Sequence, residues 1–271
     1  MTCTRHRSTF VRTPIMLLAA LACAAACRAT PPPAPPEESV PALPQASAAV
    51  TDAAPAWELP VDWERGSFEE FEAQLERWFP SATPVAVSET ALRELASAAA
   101  EGGESGLRAV LVLARSYDAD AFSALLAVLD QRTPRSSNAA DPGGDAALVV
   151  AAAALANART VAAAGPRLES LSFGKNPHPD LDVRVQCAAS ALALGRTRAI
   201  PYLLGILRTG TSARAAAPRG THLDDFVEPQ LVAARALSAR AGVPCEFRAR
   251  APLAARAAEA DRLERLLAKE R

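Results

Sequence analysis

Aromatic side chains make up only 5% of this 271-residue chain, and β-branched runs are scarce. Lysine occurs only at Lys175 and Lys269, and histidine only at His6, His178 and His222. The first two shortages argue against a strand-rich fold, because strands draw on aromatic and β-branched residues. Histidine is too sparse for a metal centre, which needs three or four converging ligands. His178 and His222 fall in different loops with no cysteine nearby, and the carboxylates around them (Asp180; Asp224, Asp225) are scattered. The chain also lacks a GxGxxG or P-loop pattern and a recognisable nucleophile elbow, so nothing points to a cofactor, a small-molecule substrate or a catalytic residue. Glu69, Glu70 and Glu72 read as solvated carboxylates of a surface helix. A formal net charge of -1 argues against nucleic acid as the main partner, since such binding needs a net basic face. The composition is 50% hydrophobic, and much of that is alanine, the best helix former. The expectation is an all-α chain whose helices pack closely through small residues.

The first residues carry Arg5, Arg7 and Arg12, followed by the short apolar stretch IMLLAALACAAA. A membrane span needs ~20 apolar residues, so this stretch suits a signal-peptide core. Small residues then precede two cysteines in ALACAAAC, which resembles a bacterial lipoprotein signal. The resemblance implies lipidation of Cys27, with Cys23 as the alternative, and places the protein outside the cytoplasm on a membrane anchor facing the periplasm. Cleavage without lipid would instead leave a soluble periplasmic or secreted protein. Residues 28–60 are rich in Pro, Ala and acidic residues and lack helical periodicity, so they read as a disordered, semi-extended tether. The expected organisation is a signal peptide over 1–27, a linker over 28–60 and a folded region over 61–271.

That region opens with WELPVDWERGSFEEFEAQLERWFP, which holds Trp57, Trp63 and Trp78. Ser67 and Glu70 form a capping-box pattern, and Phe68, Phe71, Leu75 and Trp78 share a helical face. The helix is either a lid over the end of a stack or a docking helix for another protein. The lid is favoured because a stack needs its terminal apolar face covered. A helix from Ser88 follows, with Leu92, Leu95 and Ala99 inward. At the other end, Ala251–Pro252 starts an amphipathic helix with Leu263, Leu266 and Leu267 on one side, read as the C-terminal cap, with a free partner helix as the alternative.

Between these ends a helical hairpin recurs at roughly 40 residues, over 106–130, 145–171 and 180–207, and again from Glu228. Each Ala-rich first helix ends at a tight turn: Tyr117–Asp118, Asn157–Ala158, Gly195–Arg196 and Gly242. Leu125, Leu126 and Leu129 of one second helix match Leu203, Leu204 and Leu207 of another. Gly165–Pro166 inside an expected second helix predicts a kink or a late start there.

Residues 182–207 resemble HEAT repeats, particularly the short bacterial type also found in phycobilisome-lyase-like proteins. Asp182, Val183 and Arg184 match the family's D-x-V-R, Cys187 and Ala188 its small pair, and Leu194–Gly195 its closing L-G. Arg198, Ala199, Ile200, Pro201, Leu203 and Leu204 follow its R-A-[VI]-P-x-L-L. The resemblance implies an α-solenoid of antiparallel helix pairs, with Asp182 and Arg184 setting register at a repeat junction. Export, the solenoid and the lack of catalytic residues together point to a protein–protein interaction scaffold rather than an enzyme, with a partner in the cell envelope, or to a structural spacer that binds nothing specific. The alternative is a lyase-like enzyme or enzyme accessory using the groove.

The loops 131–144, 172–179 and 208–224 each follow a second helix. They place Lys175, Arg208, Arg214 and Arg219 on one edge, a candidate partner-binding surface; the concave face is the other candidate. Cys187 reads as a core residue, and a Cys187–Cys245 disulfide stays open.

Overall fold

A computed structural model describes residues 56–81, 83–131, 144–209 and 226–268. These residues form an all-helical domain. The helices are α1 (Phe68–Trp78), α2 (Glu89–Glu101), α3 (Gly103–Ser116), α4 (Ala119–Gln131), α5 (Gly144–Ala154), α6 (Ala164–Phe173), α7 (Leu181–Ala193), α8 (Ala199–Arg208), α9 (Val227–Arg240) and α10 (Leu253–Ala268). A short 3-10 turn, Leu155–Asn157, extends α5.

Local chemistry sets the helix ends. The Ser67 hydroxyl accepts from Glu70 N–H while the Glu70 carboxylate accepts from Ser67 N–H, so the capping box is complete. Ser88 and Asp180 cap α2 and α7 in the same way through their side-chain oxygens. The α3–α4 and α7–α8 turns each need a left-handed residue, supplied by Tyr117 (φ 53°) and Gly195 (φ 85°). Pro166, Pro201 and Pro229 each stand third in their helices, where a missing N–H costs nothing. Hence α6 starts late, at Ala164, and is not kinked at Gly165–Pro166.

The first helices α3, α5, α7 and α9 pack one against the next, and α4, α6 and α8 each pack on α5, α7 and α9 in turn. Alanine makes this approach close: Ala109, Ala151, Ala188, Ala191, Ala233 and Ala234 have no exposed surface. Cys187 is equally buried, and burial pushes its thiol up to about 12, so it stays protonated and inert. Cys187 and Cys245 are free thiols, one buried and one exposed, so the chain does not join them by a disulfide. The matched leucines Leu125, Leu126, Leu129, Leu203, Leu204 and Leu207 are all buried.

The N-terminal aromatic segment covers the α2–α3 end. Phe71, Leu75 and Phe79 are fully buried, whereas Phe68 and Trp78 lie half-buried at the margin. Trp57 lies against Trp78 and Phe79 at centroid distances of 5.6 and 5.2 Å. Its N–H donates to Ala86 O and its carbonyl accepts from Ser88 N–H, a single parallel bridge that pins the start of the domain. In α2, Leu95 and Ala99 are buried and Leu92 is half-buried. At the other end α10 packs on α8 and α9 through Ala260, Leu263 and Leu267, with Leu266 half-buried.

Candidate functional site at the helix-pair junctions

Arg184 stands fourth in α7 and reaches back to the end of α6. Its Nε donates to Ser172 O at 3.0 Å, and its guanidinium lies 5.6 Å from the centre of the Tyr202 ring on α8. One side chain therefore ties three helices. It satisfies a terminal carbonyl that α6 itself cannot bond. Burial pushes the Tyr202 phenol up, and the neighbouring Arg184 cation partly offsets this. Asp182, half-buried, sits in the first turn of α7, where a negative charge favours the helix dipole.

Gln230, fourth in α9, repeats the arrangement one hairpin later. It is 2% exposed, and its amide donates to Ile206, Leu207 and Thr209 carbonyls at 3.3, 3.5 and 3.0 Å. Its own carbonyl accepts from Arg256 of α10 at 3.2 Å. Arg108 in α3 does comparable work at the N-terminal end. It is 2% exposed, donates to Glu64, Arg65 and Gly66 carbonyls, pairs with Glu104 at 2.5 Å, and lies over the Phe71 ring. Sequence reading found Arg184 and missed Gln230 and Arg108. For Gln230 the signal was present: Glu228–Pro229–Gln230 lies in the same helix register as Asp182–Val183–Arg184.

A second set of contacts links the second helices. Asp130 of α4 pairs with Arg167 of α6. Glu169 of α6 pairs with Arg196 before α8 at 2.8 Å, and Arg208 of α8 holds Asp261 and Glu264 of α10 at 2.7 and 2.6 Å. Arg208 is thus withdrawn from the expected loop edge: its charge is balanced by α10, and it fixes the C-terminal helix. Lys175 is exposed in the turn after α6. Arg214, Arg219, His222, Cys23 and Cys27 lie outside the described residues, as do the signal, most of the linker, and most of the loops 131–144 and 208–224. His178, 6% exposed, is held by its N–H on Leu171 O and by Nδ1 accepting from Asp180 N–H, so its ring proton sits on Nε2. No metal-ligand cluster occurs among the described residues, and none of their helices is long and apolar enough to cross a membrane.

A cleft of about 550 Å³ lies between the α5–α6 connection with the start of α6, residues 158–166, and the end of α7 with the turn into α8, residues 193–196. Arg196 forms part of its wall, with its aliphatic stem against Gly165. Glu169 is buried at 7% exposure and binds Arg196 through one oxygen only. The site is an open recess of mixed polar and apolar lining with guanidinium groups at its rim.

No family model, no curated protein and no solved structure matches this chain.

Proposed function

We propose that the chain is a HEAT-like α-solenoid that presents its surface to another protein of the bacterial envelope, without catalysing a reaction. The pairs α3–α4, α5–α6, α7–α8 and α9–α10 are its successive antiparallel repeats, with α1 and α10 as lids. The observation that carries this reading is the unbroken packing of α3, α5, α7 and α9, each against the next. The equivalent placing of Arg184 and Gln230 supports it, because a device repeated at successive junctions is what a repeat architecture requires. Stacked repeats bury a continuous core and leave an extended surface, which is suited to holding an extended partner.

In this reading the chain is exported and tethered by a lipid on Cys27, with Cys23 as the alternative, and the linker expected over 28–60 holds the domain away from the bilayer only up to Trp57, which packs on the domain itself.

The test is intact-mass and membrane-fraction analysis of the expressed protein beside Cys27→Ala and Cys23→Ala variants. A diacylglyceryl-sized mass increase lost with one substitution supports the tether; a cleaved, unlipidated soluble product removes it. Photocrosslinking from exposed positions in cells then tests the scaffold. Discrete adducts with one protein support it, and their absence from every face would leave a spacer that binds nothing.

A further inference from the structure

We infer that the cleft between the α5–α6 connection and the α7–α8 turn binds an acidic peptide segment of a partner protein. The inference rests on the scaffold reading above and adds the chemistry of what is held.

The argument is charge complementarity at a formed recess. Three arginines border the cleft or its margin: Arg159 and Arg196 line it, and Arg198 follows in the same turn. Arg159 and Arg198 are exposed, and neither forms an ion pair among the described residues. Arg196 gives one Nη to Glu169, and its buried Nε has no partner, so the fork is held in place with donors to spare. The flanking stretches 146–168 and 183–209 contain no Asp or Glu. Glu169, beside Arg196, is buried and already committed to it.

This basic character is local. The corresponding turn between α3 and α4 carries Asp118 and Asp120 instead. Val161, Pro166 and Leu194 add apolar surface to the lining beside the guanidinium groups. A lining that mixes cationic and apolar groups fits a peptide that alternates carboxylates with small apolar side chains. Guanidinium forks match carboxylate geometry and keep their charge at every physiological pH.

The test is fluorescence anisotropy of a fluorescein-labelled peptide of alternating Glu and Ala against the full chain, beside its Gln-for-Glu counterpart. The Glu peptide is expected to bind, the Gln peptide is not, and affinity should fall as salt rises. Rim charges of this exposure contribute modestly, so Arg159→Ala and Arg198→Ala should each weaken binding about threefold, and the double variant about tenfold. Arg159→Lys should recover part of the loss, and Arg235→Ala, an exposed charge on α9, should leave binding unchanged. Equal binding of the Gln peptide, an equal loss in Arg235→Ala, or no binding would each overturn the inference. So would binding to anionic phosphatidylglycerol vesicles without binding to the Glu peptide. If the peptide fails while crosslinks from other faces persist, this site is wrong and the scaffold reading stands. If crosslinks vanish from every face as well, both fail.

Discussion

Replacing Arg184 by alanine removes a side chain that joins α6, α7 and α8. Its hydrogen bond to Ser172 O involves a charged donor, a kind worth about 1.5–3 kcal/mol. Its stacking over Tyr202 contributes about 0.5–1 kcal/mol at a half-buried site. The two share a side chain and are not additive, and water can reach part of the freed carbonyl, so the expected loss is about 2–3 kcal/mol. Arg184→Lys keeps the charge over the ring but not the fixed Nε geometry, and should lose about 1 kcal/mol. The assay is urea unfolding followed by circular dichroism, with amide exchange at Gly174 and His178 as local reporters. Both amides close the end of α6, on Ser170 O and Leu171 O. The local reporters matter because helix pairs packed in series need not unfold in two states. A double-mutant cycle with Tyr202→Leu should return a coupling of about 0.5–1 kcal/mol. An Arg184→Ala chain within ~0.5 kcal/mol of the parent, with unchanged exchange at both amides, would refute the reasoning.

Four further outcomes follow from the same structure. Gln230→Ala removes the buried amide that serves the Leu207 and Thr209 carbonyls, while Ile206 O keeps the Thr209 N–H, and should cost about 1–2 kcal/mol, with faster exchange confined to α8–α10; an effect under ~0.5 kcal/mol would contradict its role. Gly195→Ala meets no atom within 4 Å, so its cost is the left-handed backbone alone, about 1–2 kcal/mol in the midpoint of urea unfolding. Glu72 is raised above its ordinary 4.5 by desolvation and then by the charges of Glu69 and Glu76. A raised carboxylate favours the folded state below its unfolded pKa and loses that contribution as pH rises through its folded pKa. Glu72→Gln should therefore stabilise the protein at neutral pH and have little effect in acid, as read by melting temperature across pH; a pH-independent effect would contradict this origin. Peptide mapping after brief iodoacetamide treatment of the folded chain should find Cys245 alkylated and Cys187 not, since one thiol is exposed and the other is buried and protonated.

Much of the architecture could be read from local pattern because its causes are local. Ser67 and Glu70 announce the start of α1, and Asp182–Val183–Arg184 announces α7. The Tyr117 and Gly195 turns lie where helical periodicity breaks. The late start of α6 follows from Pro166, since proline fits only a first turn. What was not legible depends on which helices meet. The aromatic stripe named Phe68 and Trp78 as inward, yet Phe79 just past the helix end is buried more deeply, because Trp57 folds back over it. Arg208 looked like a loop cation because Asp261 and Glu264 lie far along the chain, and only the docking of α10 on α8 brings them together. Gln230 was missed because a glutamine in a helix carries no signal alone. Its meaning comes from sharing the register of Arg184. The arginine-rimmed cleft was missed for a similar reason: its two turns come from different helix pairs, and loop length drew attention to 131–144, 172–179 and 208–224.

The central claim is that the helix pairs stand in a row, each buried by its neighbours and closed by a lid at either end. Native-state hydrogen exchange across the full chain, read helix by helix, tests this most directly. In such a row, stability comes from neighbour contacts, so the interior helices α5 and α7 should be the most protected, and α1 and α10 should open first and independently of each other. Uniform protection from α1 to α10, or the strongest protection at α1 or α10, would contradict a row of repeats and indicate one cooperative globule.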